Sequence, residues 1–162
     1  MIVVSDSTAL IGLSAINGLE WLRDIYSIVI IPQAVFREVV IDGSGRPGSK
    51  EVVTASWIQT KSIQNQTEKT YLMNVIGLDE GESEAIILAA EIGADLLLVD
   101  DSDARRYARE QQLKITGMIG VILAAKQLGL ITSVRSQLGA LISVGIFIDA
   151  KLFQEVCQRA GE

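Results

Sequence analysis

"GLDEGESEAIILAAEIGADLLLVDDSDARR", residues 77–106, decides how this chain is read. It carries nine of the chain's 20 Asp and Glu residues, mostly at its two ends. "DEGESEAIILAAEIG" is an acid-rich helix start that runs into an apolar helix ending near Gly93. "DLLLV", at 95–99, has the unbroken apolar character of a buried strand. "DDSDARRYAREQQ" opens another helix, with acids at its start and bases further in, as the helix dipole favours. Helix, fully apolar strand and helix in succession mark a parallel sheet covered on both faces.

The flanking sequence repeats that alternation. "IVV" at 2–4 is a β-branched run, followed by a helix over 7–16 that Ser7 is placed to cap. A short helix over 17–26 leads to a strand at 27–31, and Pro32 starts the helix "PQAVFREVVI". "DGSGRPGS" at 42–49 reads as a loop, "KEVVTAS" as a short helix and "WIQTKSI" at 57–63 as a strand. "QNQTEKT" at 64–70 has no clear period, and residues 62–76 either cover the site or connect elements. After residue 112 come a short strand "LKIT", an apolar helix "GMIGVILAAKQLG" and two closing helices over 132–145 and 149–162. The expectation is one domain over 1–162. It is an α/β/α sandwich around a central parallel sheet of four to five strands.

Composition narrows the chemistry. The 162 residues are 49% hydrophobic, ample for a core, and no apolar run reaches the roughly 18 residues of a membrane span. The first residues lack the basic flank of a signal peptide, so a cytoplasmic protein is expected. A single cysteine, Cys157, allows no internal disulfide. The absence of histidine excludes Ser-His-Asp and Cys-His triads and a His-based zinc site. A net charge of −6 gives no broad basic surface for nucleic acid.

What remains is acid. Asp6 follows the first strand, Glu38 lies in "PQAVFREVV", Glu82 and Glu84 in "GESEAI", and Asp100, Asp101 and Asp103 in "VDDSDARR". In open α/β sheets, sites form beyond the carboxyl ends of strands near a switch point. If the first and fourth strands are neighbours, Asp6 converges with Asp100 and Asp101. Carboxylates without histidine suit Mg²⁺ or Mn²⁺, and phosphodiester hydrolysis is the reaction such a set serves. Each acid also has a plain reading as a cap or solvated helix position. That reading is weaker for the set, because capping does not need Asp6, Glu38 and the Asp100–Asp101 pair together. Arg105 and Arg106 can contact phosphate or pair with Asp101 and Asp103. Ser5, Ser7 and Thr8 flank Asp6 and can orient a water. A receiver-like phosphoacceptor, suggested by "VDD" after a strand, ranks low because its acidic pair belongs after the first strand.

In order along the chain, "IVVSDSTALIGLSAI", "PQAVFREVV", "LDEGESEAIILAAE", "LLLVDDSDARRYA" and "ITGMIGVILAAKQLGLI" resemble the PIN-domain superfamily, specifically the DUF3368 type, as does the terminal "AGE". The resemblance implies a VapC-toxin-like, Mg²⁺- or Mn²⁺-dependent endoribonuclease. RNA would be its substrate, with an antitoxin protein and a second copy of the chain as partners. By position it implies Asp6 as the first-strand ligand and Glu38 as the second acid. Glu84, which opens "EAIILAA", would be the third acid and a metal ligand, and Asp100 or Asp101 the ligand after the fourth strand, with Asp101 joining Asp6, Glu38 and Glu84 as the catalytic set. Glu82 and Asp103 are substitute or supporting acids, and Arg105 and Ser7 are substrate contacts. The alternative is a PIN-like protein-binding module with an incomplete site.

Overall fold

A computed structural model describes residues 1–162. The strands are β1 (Val3–Ser5), β2 (Val29–Pro32), β3 (Ile58–Lys61), β4 (Leu96–Leu98) and β5 (Ile115–Thr116). They form one sheet in the order β3-β2-β1-β4-β5, and every pairing is parallel. β1 pairs Val4 with Ile30 on one side and Ser5 with Leu98 on the other. From β1 the chain builds outward through β2 and β3, then returns to lay β4 against the opposite edge of β1. The switch point therefore lies between β1 and β4.

Successive strand residues point to opposite faces, and each face has its own core. Val3 and Leu98 join α1 (Ser7–Ala15), α2 (Glu20–Tyr26), α8 (Met118–Gln127), α9 (Val134–Ser143) and α10 (Ala150–Arg159) in one cluster. Val4, Leu97 and Val99 pack with α6 (Glu80–Glu91) and α7 (Ser102–Glu110) in the other. α6 is buried on every side from Ala85 to Ala89, which explains the unbroken apolar run there. The result is a three-layer α/β/α sandwich, as the alternating pattern predicts. No helix is long and apolar enough to cross a membrane.

Three local readings change. Ser7 does not cap α1: Asp6 does, accepting the Ala9 N–H at 3.1 Å. Pro32 is the last residue of β2 and the cap of α3 (Gln33–Phe36), rather than its first turn. α3 then widens into a π-helical segment, Arg37–Asp42, which carries Glu38. The stretch without a clear period also folds into helix. Asn65 caps α5 (Gln66–Tyr71), which continues as a second π-helical segment, Leu72–Ile76. Leu72 is fully buried, and Glu91 of α6 accepts the N–H groups of Gln64 and Asn65. Residues 62–76 thus buttress α6, and none of them lines a cavity at the switch point.

Candidate active site

The parallel pairing of β1 with β4 puts two acids side by side at the carboxyl end of the sheet. Asp6 follows β1 and is fully buried. One oxygen caps α1, and the other faces the Asp100 N–H at 3.4 Å. Asp100 follows β4 and accepts the Met118 N–H at 3.1 Å. That bond ties β4 to the start of α8 and holds Asp100 facing Asp6. Gly117 makes the approach possible. A Cβ there would collide with Asp100 Oδ1 and press on Arg105 Nη1.

Two more acids close the group from α6 and the π-helical segment. Asp79 and Glu82 form a capping box: Glu82 N–H donates to Asp79 at 2.7 Å, and Asp79 N–H donates to Glu82 Oε2 at 3.1 Å. The box fixes Glu82 at the mouth of a cavity of about 430 Å³ that Thr8, Asp100 and Asp101 also line. Glu38 accepts the Gly81 N–H at 3.0 Å. A Cβ at Gly81 would strike the Glu38 carboxylate, so this glycine admits it.

The electrostatics are those of overcrowded acid. Burial pushes Asp6 up to about 7, with Asp100 and Glu82 adding repulsion against the bond from Ala9. Burial likewise pushes Glu82 up to about 7, helped by Asp79, Asp101 and Glu38. Asp100 is raised by burial, against the Met118 N–H and the Arg105 charge. Glu38 is raised by burial, opposed by the Ser7 hydroxyl and the Gly81 N–H. None of the four forms an ion pair with Lys or Arg. Such groups favour either protonation or a nearby cation.

The remaining expected residues divide between the margin of this group and other parts of the fold. Glu84 is turned away from this group. Its Oε1 pairs with Lys69 Nζ at 2.7 Å, and its Oε2 accepts the Ala34 N–H at 2.9 Å. Glu80, one turn earlier, shares Lys69 and also binds Arg37. Asp101 caps α7 through the N–H groups of Asp103 and Ala104 while lining the cavity. Asp103 is exposed and pairs with Arg106 at 3.0 Å, outside the acidic group. Arg105 does not pair with Asp101. Its Nη1 donates to the Val99 carbonyl at 2.8 Å, beside Asp100. Ser7 touches the group only through Glu38. The structure thus brings together Asp6, Glu38, Glu82 and Asp100, with Asp101 at the rim.

These oxygens fit a hard divalent cation in chemistry and in surplus charge. No three of them close on one point at ligation distance. Mg²⁺ tolerates this, since it keeps several waters and takes only one or two carboxylates directly.

No curated protein matches the sequence. A family model described as DUF3368, PIN domain, matches residues 2–162. PIN domains are in general divalent-metal-dependent, of nuclease type and RNA-binding. With its parallel sheet, its acids at the β1–β4 crevice and a match along almost its whole length, the chain belongs to the PIN-domain family DUF3368.

Proposed function

We propose that this chain is a metal-dependent endoribonuclease, a single domain acting as the toxin of a toxin–antitoxin pair. One observation carries the reading: Asp6 and Asp100 meet across the β1–β4 switch point, with Glu82 and Glu38 around them and no basic side chain paired to any of the four. Asp6, Asp100 and Glu82 would hold Mg²⁺ or Mn²⁺, one or two of them directly and the rest through its bound water, with Glu38 and Asp101 on the surrounding wall. A divalent ion held there would supply polarisation of the phosphate, a lowered pKa for the attacking water and stabilisation of the leaving oxygen. The chain's own part is positioning. The Ala9 N–H fixes Asp6, the Met118 N–H fixes Asp100, and the Asp79 capping box fixes Glu82. The antitoxin and a second copy would dock on apolar surface outside this crevice. Within the apolar α8 region, Met118, Val121 and Ile122 are core, and Leu128 and Leu130 remain exposed.

A second reading, a protein-binding module with a dead site, draws on the lack of three converging ligands. One assay separates the two. Purified, partner-free protein is given single-stranded RNA with Mg²⁺, Mn²⁺ or chelator. Metal-dependent cleavage that falls by at least about 100-fold in Asp6→Asn and in Asp100→Asn supports the nuclease. Cleavage unchanged in both variants, or none in wild type, contradicts it.

A further inference from the structure

Asp100 has a cavity on each side. The first, described above, has acids on one wall and apolar side chains on the other, among them Ile146, Phe147 and Leu152. The second, also about 430 Å³, holds Arg105 and Arg159 beside Thr116 and Gly117. The two share Asp100, Ile119 and Leu152, so they adjoin at Asp100 as one groove, with Glu82 and Asp101 lining only the first half.

The two ends of the groove differ in chemistry. Phe36 and Phe153 pack against the core, whereas Phe147 is 89% exposed. A lone exposed apolar residue is ordinary; this one stands at the rim of the acidic cavity. Gly145, at φ +94°, ends α9, and the segment after it is irregular, with no helical or strand bonding. Ile146 reaches the Gly12 side of the core and Ile148 packs inward, which leaves Phe147 facing solvent between them. On the other side of Asp100, Arg159 closes α10, lines the second cavity and forms no ion pair. An exposed aromatic ring and an unpaired guanidinium on either side of Asp100 are what a single strand crossing it needs: a face for a base and a donor for a neighbouring phosphate.

We propose that the groove carries single-stranded RNA, with Phe147 stacking the base beside the scissile phosphate and Arg159 holding the next phosphate. This rests on the nuclease reading. It assigns two substrate-binding residues that lie outside the acidic group.

The test is steady-state cleavage of a labelled, mixed-sequence single-stranded RNA by wild type, Phe147→Ala, Phe147→Trp and Arg159→Gln, with the matching single-stranded DNA as a second arm. Phe147→Ala is expected to raise KM about tenfold with kcat nearly unchanged, and Phe147→Trp to restore it. Arg159→Gln is expected to raise KM and flatten its dependence on salt. Both sites are exposed, so unchanged thermal unfolding is the expected control. Wild-type cleavage with unchanged KM in both Ala and Gln variants overturns the groove assignment and leaves the nuclease standing. That result would give Phe147 to a protein partner instead. Preference for DNA over RNA overturns the RNA assignment, and absence of any wild-type cleavage overturns both readings.

Discussion

Glu82 and Glu84 stand two residues apart on one helix, roughly 200° around its axis, so they cannot serve the same pocket. Glu84 shares a face with Glu80 and is held by Lys69 and the Ala34 N–H; Glu82 faces the cavity. The same substitution should therefore have opposite effects at the two positions. Glu84→Gln should cost about 1–3 kcal/mol of stability, because it breaks a charged hydrogen bond with little exposure, and should leave metal response intact. Glu82→Gln should leave stability unchanged or slightly raised and lose the metal response. Denaturant unfolding with and without Mn²⁺ reads both, and the reverse pattern would restore Glu84 to the site. This distinction was legible in part. The sequence Asp79-x-x-Glu82 is a capping box, and Glu80 and Glu84 are one turn apart. The positional analogy that favours Glu84 ignores helix phase. The choice between Asp100 and Asp101 was not legible, because adjacent residues after a strand diverge according to backbone path. Here the Met118 N–H takes Asp100, and the α7 cap takes Asp101.

At the scale of elements, the acids at helix starts serve as caps and as a site together, and the two roles do not compete. Asp6 caps α1 and borders the crevice, and Glu82 completes a cap and lines the cavity. Two glycines set the spacing. Gly81→Ala is expected to displace the Glu38 carboxylate at small stability cost, since the clash falls on the far end of a side chain, and to lower cleavage measured at saturating metal. Undiminished cleavage would remove Glu38 from the site. The π-helical turns that present Glu38 and Leu72 leave no mark in sequence, because i→i+5 bonding answers to packing and not to residue type. The last residue illustrates another contact invisible in sequence. The Glu162 carboxylate accepts the N–H groups of Val134 and Arg135 at the start of α9, and also engages Ser133 and Lys126. These bonds, that of Val134 foremost, hold its pKa down to about 2. A carboxylate depressed in the folded state stabilises above its unfolded pKa and loses that effect as pH falls toward the folded one. The stability gap between wild type and Glu162→Gln should thus be full above about pH 5 and shrink toward pH 2. A gap that does not change with pH would mean that the clamp acts through shape alone.

For the molecule as a whole, alternation of apolar strands and helices was enough to predict a parallel α/β/α sandwich. The apolar runs at 2–4, 28–31 and 96–98 leave no polar face to point at water. The placement of β1 beside β4 was only a condition, since strand order depends on crossovers that composition does not record. Once met, that condition explains how acids 94 residues apart come into contact. The fold gathers at one end of its sheet carboxyl groups whose burial disfavours the charged form and which no Lys or Arg pairs, and a divalent cation would favour their charged form. The most direct test is thermal unfolding of partner-free wild type and Asp6→Asn at pH 8 in chelator, Mg²⁺ and Mn²⁺. Asn still caps a helix, so Asp6→Asn should be as stable as wild type or more stable in chelator. Wild type should gain stability with millimolar Mn²⁺, by about 2.7 kcal/mol at one hundred times Kd, and the variant should gain little. No shift in wild type across millimolar Mg²⁺ and Mn²⁺, or an equal shift in Asp6→Asn, would contradict a cation site at the β1–β4 crevice.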